Sequence, residues 1–182
     1  VADVAGEPVT LRQVLILASL EAGRKVDPSE GELVAAVLQR EITQVIIMRD
    51  IARNPSYEEE KPDEAAMRQA LEQKCGGPEA LRRLQEELRL KDEALENFLQ
   101  RQALAVAFVR LHFNPFVYVS EEEARKYYAE GFLPRLGAGA APPDFESVQA
   151  KIVEILQQRK INAEFDQWLE RQRKELRVKI IE

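Results

Sequence analysis

The chain has 182 residues, enough for one domain or a domain with a small lobe, and enough to bury a real core. Apolar residues make up 45% and charged residues 32%, the balance of a folded protein rather than a disordered one. The net charge of -6 is spread over alternating acids and bases, which excludes the clustered Lys and Arg of a nucleic-acid footprint. No apolar run approaches the roughly 20 residues a membrane span needs, the most apolar stretch being residues 103–109.

The chain begins at Val1 rather than Met, a start that a cleaved signal peptide would leave and that a shortened chain would leave equally. Residues 1–9 read as a short strand ending in a turn at Gly6. Thr10 then opens a helix, with Gln13 three residues on completing a capping box. Leu11, Val14, Leu15, Ala18 and Ala22 recur at helical spacing before Gly23 stops the run, and Leu17 and Leu20 widen its apolar face.

Asp27-Pro28-Ser29-Glu30 reads as a second helix start, with proline at the first helical position and Glu30 closing a box. Leu33, Val37, Ile42, Val45 and Ile46 form the stripe of that helix, and Asn54-Pro55 ends it. After a solvated acidic connector at residues 57–61, a third helix is expected over residues 62–75, with Met67, Leu71 and Cys75 on one face. Gly76-Gly77-Pro78 marks a break and restart before Leu81, Leu84 and Leu88. Asp92 can cap a longer helix through Leu95, Phe98, Leu99, Val106 and Val109, which Asn114-Pro115 terminates.

Residues 116–119 read as extended, and Ser120 with Glu123 makes a further capping box for a helix through Tyr127 and Tyr128. The Gly-, Ala- and Pro-rich stretch 131–143 is the clearest linker. A helix of about 30 residues follows from Phe145 to Glu175, and residues 176–181 alternate as a terminal strand. Neither end strand is long enough to stand alone, so the two are expected to pair with each other or with residues 116–119. The pattern predicts a mainly α fold, a multi-helix domain with a small β element formed by the N- and C-terminal strands.

Residues that could carry chemistry are few. His112 is the only histidine and sits at a helix end, so neither a catalytic triad nor a zinc site has a second one to use. Cys75, the only cysteine, excludes an internal disulfide, leaves the redox compartment open, and reads as a small core hydrophobe. Runs such as Glu58-Glu59-Glu60 and Glu121-Glu122-Glu123 are too common to mark an acid/base pair; solvated faces and helix N-termini account for them. The basic residues at 171–174 are interspersed with acids, as on a helix surface, and no phosphate-binding glycine motif is present. The informative surplus is apolar: Phe113, Phe116, Tyr118, Phe132, Leu133 and Leu136 fall at helix ends and in the linker. Packing against the core is one reading of these six; a partly exposed groove that binds extended or unfolded chains is the other.

The order of these signals resembles the N-terminal chaperone region of SurA and its relatives, the parvulin-bearing chaperones of the bacterial envelope. Val4-Ala5-Gly6-Glu7-Pro8-Val9-Thr10 is similar to the family's opening V-N-G-E-P-I-T, with Ala5 in place of Asn. Gly76-Gly77 with Leu81, Leu84 and Leu88, then Phe98-Leu99 and Arg101, resembles its middle helices, although Arg89-Leu90-Lys91 stands where Gly-Leu-Ser is usual. Val117-Tyr118-Val119-Ser120 through Tyr127-Tyr128 resembles V-x-V-S-E-E-E-I-x-x-Y-Y, and Phe145, Trp168-Leu169 and Val178 to Ile181 resemble the closing helix and strand. In that family an isomerase domain usually sits where this chain has only residues 131–143.

The resemblance implies a single chaperone domain over residues 1–182, with a helical part at 1–130, a linker at 131–143 and a completing helix and strand at 144–182. It implies an ATP-independent holdase that binds unfolded or outer-membrane protein clients in the periplasm or another extracytoplasmic compartment. No parvulin histidine pair is present, so no isomerase activity and no cofactor are expected. The other reading is a non-catalytic helical adaptor that binds one folded envelope partner. A homodimer formed by strand or helix swapping is compatible with either.

Overall fold

Local capping chemistry sets most of the helix ends in the computed structural model, which describes residues 1–54, 57, 63–136 and 142–181. Helix α1 (Leu11–Ala22) starts at the predicted capping box: Thr10 Oγ1 accepts the Gln13 N–H at 3.3 Å, and Gln13 Oε1 accepts the Thr10 N–H at 2.8 Å. It closes on Gly23, whose N–H reaches the Leu20 and Ser19 carbonyls.

Helix α2 spans Gly31–Arg53, three residues later than Pro28 predicts. The box at 27–30 is only half made. Glu30 Oε1 accepts the Asp27 N–H at 3.0 Å, but the Asp27 carboxylate takes the Ser29 N–H and hydroxyl instead of a helix donor. The result is a closed turn rather than a first helical turn. Hydrogen bonds from Arg24 and the Asp27 N–H hold the Glu30 carboxyl down to about 2.

Asp63, missed in the sequence, caps α3 (Glu64–Cys75) by accepting the Ala66 N–H at 2.9 Å. Pro55, the acidic connector at 58–61 and the expected start at Pro62 lie outside the described residues. Helix α4 (Pro78–Leu88) restarts at the glycine pair as expected. Helix α5 (Asp92–Phe113) ends where Asn114-Pro115 predicts, in a 3-10 turn over Asn114–Phe116. Asp92 is its first helical residue rather than its cap, with the carboxylate accepting from Gln85 Nε2. Helix α6 (Glu121–Tyr127) starts at the predicted Ser120–Glu123 box, and α7 spans Phe145–Glu175.

Three short strands, β1 (Ala2–Val4), β2 (Glu7–Val9) and β3 (Lys179–Ile180), make one antiparallel sheet in the order β2-β1-β3. The N-terminal segment is a hairpin rather than a single strand: β1 (Ala2–Val4) pairs with β2 (Glu7–Val9) around Ala5-Gly6. Strand β3 (Lys179–Ile180) adds to the other edge of β1, with Ala2 opposite Ile180. The chain ends therefore pair with each other. Residues 116–119 are not part of the sheet, because Phe116 is held in the 3-10 turn. The mainly helical fold with a small terminal β element is as the sequence predicts.

The chain divides into two compact units, and the division falls within α5 and within α7. Unit 1 comprises residues 1–108 and 169–182, unit 2 residues 109–168. In unit 1, Leu20, Leu71, Leu81, Leu84, Leu95 and Leu99 form a leucine cluster between α1, α3, α4 and the start of α5. Cys75 packs against it, and burial pushes its thiol up. Val37, Ile42, Val45, Ile46, Ile47 and Ile51 bury several faces of α2, which lies against α1 and the hairpin. In unit 2, Val119, Ala124, Phe145 and Ile152 are the buried centre, with Tyr127, Tyr128 and Phe132 packed around them. The chain beyond α6 does not open into a linker at once. A π-helical turn (Tyr128–Phe132) and a 3-10 turn (Leu133–Arg135) carry it on, and residues 137–141 of the expected linker lie outside the described ones.

Two backbone positions give opposite predictions. At Gly23, φ is +66° and an added Cβ would lie 2.7 Å from the Lys74 carbonyl oxygen, so Gly23→Ala should cost about 2–3 kcal/mol in urea unfolding. At Ala5, φ is +52° in the first hairpin-turn position, a conformation that Asn adopts more readily than Ala. Ala5→Asn should stabilise by about 0.5–1 kcal/mol in the same experiment.

Candidate functional site

The six apolar residues singled out in the sequence differ sharply in exposure. Phe113 is a core side chain, 5% exposed, and its burial removes it from any client surface. Its ring meets Phe165 edge-on at 5.8 Å and Trp168 at 6.1 Å, and His112 lies against the same group. Phe132 stacks on Tyr128 at 5.9 Å within the unit 2 core and is half-buried. Leu133 and Leu136 are half-buried as well. Phe116 and Tyr118 differ. They are 83% and 78% exposed, in a chain whose large apolar side chains are otherwise mostly covered.

The backbone that carries Tyr118 is held in place. Lys160 Nζ, from α7, donates to the Tyr118 carbonyl at 2.7 Å and pairs with Glu123 Oε1 at 2.7 Å. Glu123 in turn accepts the Ser120 N–H through its other oxygen, at 2.9 Å. Hydrogen bonds from Lys160 and the Ser120 N–H hold the Glu123 carboxyl below its ordinary value. Val119 is buried beside it. Phe116 is raised by the 3-10 turn that ends α5. The capping chemistry of α6 thus fixes the segment from which both aromatic rings project.

Unit 1 carries a feature with no signature in the sequence. A cavity of about 280 Å³ opens between α1, α2 and the first half of α5, walled by Ile16, Leu17, Leu90 and Phe98. Its polar lining includes Glu41, Gln44 and Arg101. Arg101 Nη2 donates to Glu41 Oε1 at 3.0 Å, and Gln44 Nε2 donates to the Arg101 carbonyl at 2.6 Å. The Glu41 side chain is only 6% exposed, that of Arg101 36%. Burial pushes the Glu41 carboxyl up, against the pull of Arg101. A second trough of about 630 Å³ runs beside α1, lined by Leu11, Leu15, Val26 and Leu88.

Among the described residues no group of three or more His, Cys, Asp or Glu side chains is placed to hold a metal ion. No single helix among them is long and apolar enough to cross a membrane. No family model, curated protein or solved structure matches the chain.

The Glu41–Arg101 pair generates a stability prediction with a pH signature. Arg101→Leu strands a buried carboxylate and should cost about 3 kcal/mol at pH 7, the low end for breaking a buried pair because Arg101 is over a third exposed. Without Arg101, the folded-state pKa of Glu41 rises further above its unfolded value. The folded chain then binds the proton more tightly than the unfolded chain, so stability is lost as pH rises and recovered as pH falls. Urea unfolding of the variant should show a smaller deficit at pH 5 than at pH 7.

Proposed function

We propose that the protein is an ATP-independent chaperone of the bacterial envelope that holds unfolded polypeptide clients without isomerising prolines. The observation that carries this reading is the exposure of Phe116 and Tyr118 on a segment anchored by Lys160 and Glu123. Unfolded chains offer extended apolar and aromatic segments, and a binder of them needs accessible apolar area on a backbone that does not collapse over it. The resemblance of the chain to SurA-type chaperones supports the same reading and supplies the compartment.

The energy scale suits transient holding. Two aromatic side chains offer roughly 300 Å² of contact, or about 7.5 kcal/mol at ~25 cal/mol per Å². Losses from association and side-chain ordering reduce this to the weak affinities from which a client can leave. The net charge of -6 keeps a loaded complex soluble and disfavours strongly acidic clients.

Light scattering of a thermally unfolding enzyme, with the protein added and no nucleotide present, tests the activity. Suppression should be dose-dependent, and Phe116→Ser with Tyr118→Ser should lose at least half of it. Both side chains are exposed, so the double variant should melt within a few degrees of the parent. A folded double variant as active as the parent would show that these rings are not the contact. A parent with no effect on scattering would leave the adaptor reading in place.

A further inference from the structure

The cavity of unit 1 has a floor that is neutral overall and unsatisfied in both senses. Glu41 Oε1 is taken by Arg101, while Oε2 has no donor among the described residues. Arg49 Nε is the only side-chain N or O atom among the described residues that is both sealed and unpartnered, so Glu41 Oε2 is not sealed, and the side chain that carries it lines the cavity. Gln44 spends its amide N–H on the Arg101 carbonyl and keeps its oxygen. The Arg101 guanidinium engages one nitrogen and leaves the others as donors, on a side chain 36% exposed.

The character of the ligand follows from this. A cation would meet Arg101, and an anion would meet Glu41, whose carboxylate also feels Glu7 and Glu21. A neutral group that both donates and accepts meets neither repulsion, and the peptide group is such a group. The walls of Ile16, Leu17 and Phe98 ask for a large apolar side chain next to it, and 280 Å³ has room for such a side chain together with the peptide group beside it. We propose that this cavity binds unfolded polypeptide, seating one large apolar side chain against Ile16, Leu17 and Phe98 while a neighbouring peptide group donates to Glu41 Oε2 and accepts from Arg101. The assignment rests on the client-binding reading and gives it a contact on unit 1 separate from the aromatic pair. The burial that raises the Glu41 carboxyl works in the same direction, since a carboxylate short of water gains most from an added donor.

The probe is N-acetyl-Ala-Leu-Ala-amide, titrated into the full chain while the methyl resonances of Ile16, Leu17 and Ala94 are followed. These should shift saturably. N-acetyl-Ala-Ala-Ala-amide, and the leucine peptide N-methylated at every backbone nitrogen, should bind at least tenfold more weakly. Ala94 is exposed and lines the cavity, so Ala94→Phe should fill it, abolish the shifts and leave the fold intact. If the leucine peptide leaves these methyls unmoved, or if its N-methylated analogue binds as well, the assignment is wrong; this second comparison uses the parent protein and needs no variant. Binding here by a protein that fails to suppress scattering would keep the cavity and overturn the chaperone reading. Suppression of scattering with these methyls unmoved would do the reverse.

Discussion

Two polar side chains buried on α2 set the terms for unit 1. A 23-residue helix whose apolar residues bury several faces leaves little water for Glu41 and Gln44, and each must find a partner from another element. Both find it at Arg101: the guanidinium for Glu41, the backbone carbonyl for Gln44. A slide of α5 by one residue would turn Arg101 away by about 100° and strand both groups. Apolar packing alone tolerates such slips far better, because leucine meets leucine at many offsets. The pair contributes little net stability over a well-packed hydrophobic substitute, but it penalises the wrong register by several kcal/mol, about what stranding a buried charge costs.

Unit 2 applies related chemistry to a different end. There the polar group that matters is Glu123, which closes the α6 capping box with one oxygen and receives Lys160 with the other. One side chain thus starts a helix and ties α7 to the segment before it. Around this tie, Arg125 lies 4.3 Å over the Phe145 ring and Arg159 4.7 Å over Tyr127, so charged residues cover the aromatic core with their flat faces. The segment 116–118 gains a fixed backbone without burying the rings it carries.

Most helix ends were legible because they depend on chemistry within four residues: Thr10 with Gln13, Ser120 with Glu123, Gly77 before Pro78. The start of α2 departs from the sequence pattern because Asp27 has local partners in Ser29, which wins over a helix donor. The strand β2 was missed because it has three residues, one of them a proline, and only β1 beside it makes it a strand. The aromatic residues could be found but not sorted. Phe113 and Phe116 are three positions apart, yet the turn that breaks the helix between them sends one into the core and the other into solvent. The cavity was invisible for a different reason. Glu41 and Arg101 are 60 residues apart, and each by itself looks like any charge on a solvated helix face.

The sheet has a consequence in time as well as in space. Strand β1 sits between β2, five residues away, and β3, at the far end of the chain: the Val1 amino group donates to Ile181 across 180 positions. The hairpin can close in microseconds, whereas the second edge must wait for the whole intervening chain to be ordered. Until then β1 displays the unpaired N–H and C=O groups of an edge strand. The same three residues that seal the finished molecule are, in a chain still emerging or half folded, an open template on which the β3 segment of another copy can lie in the same register.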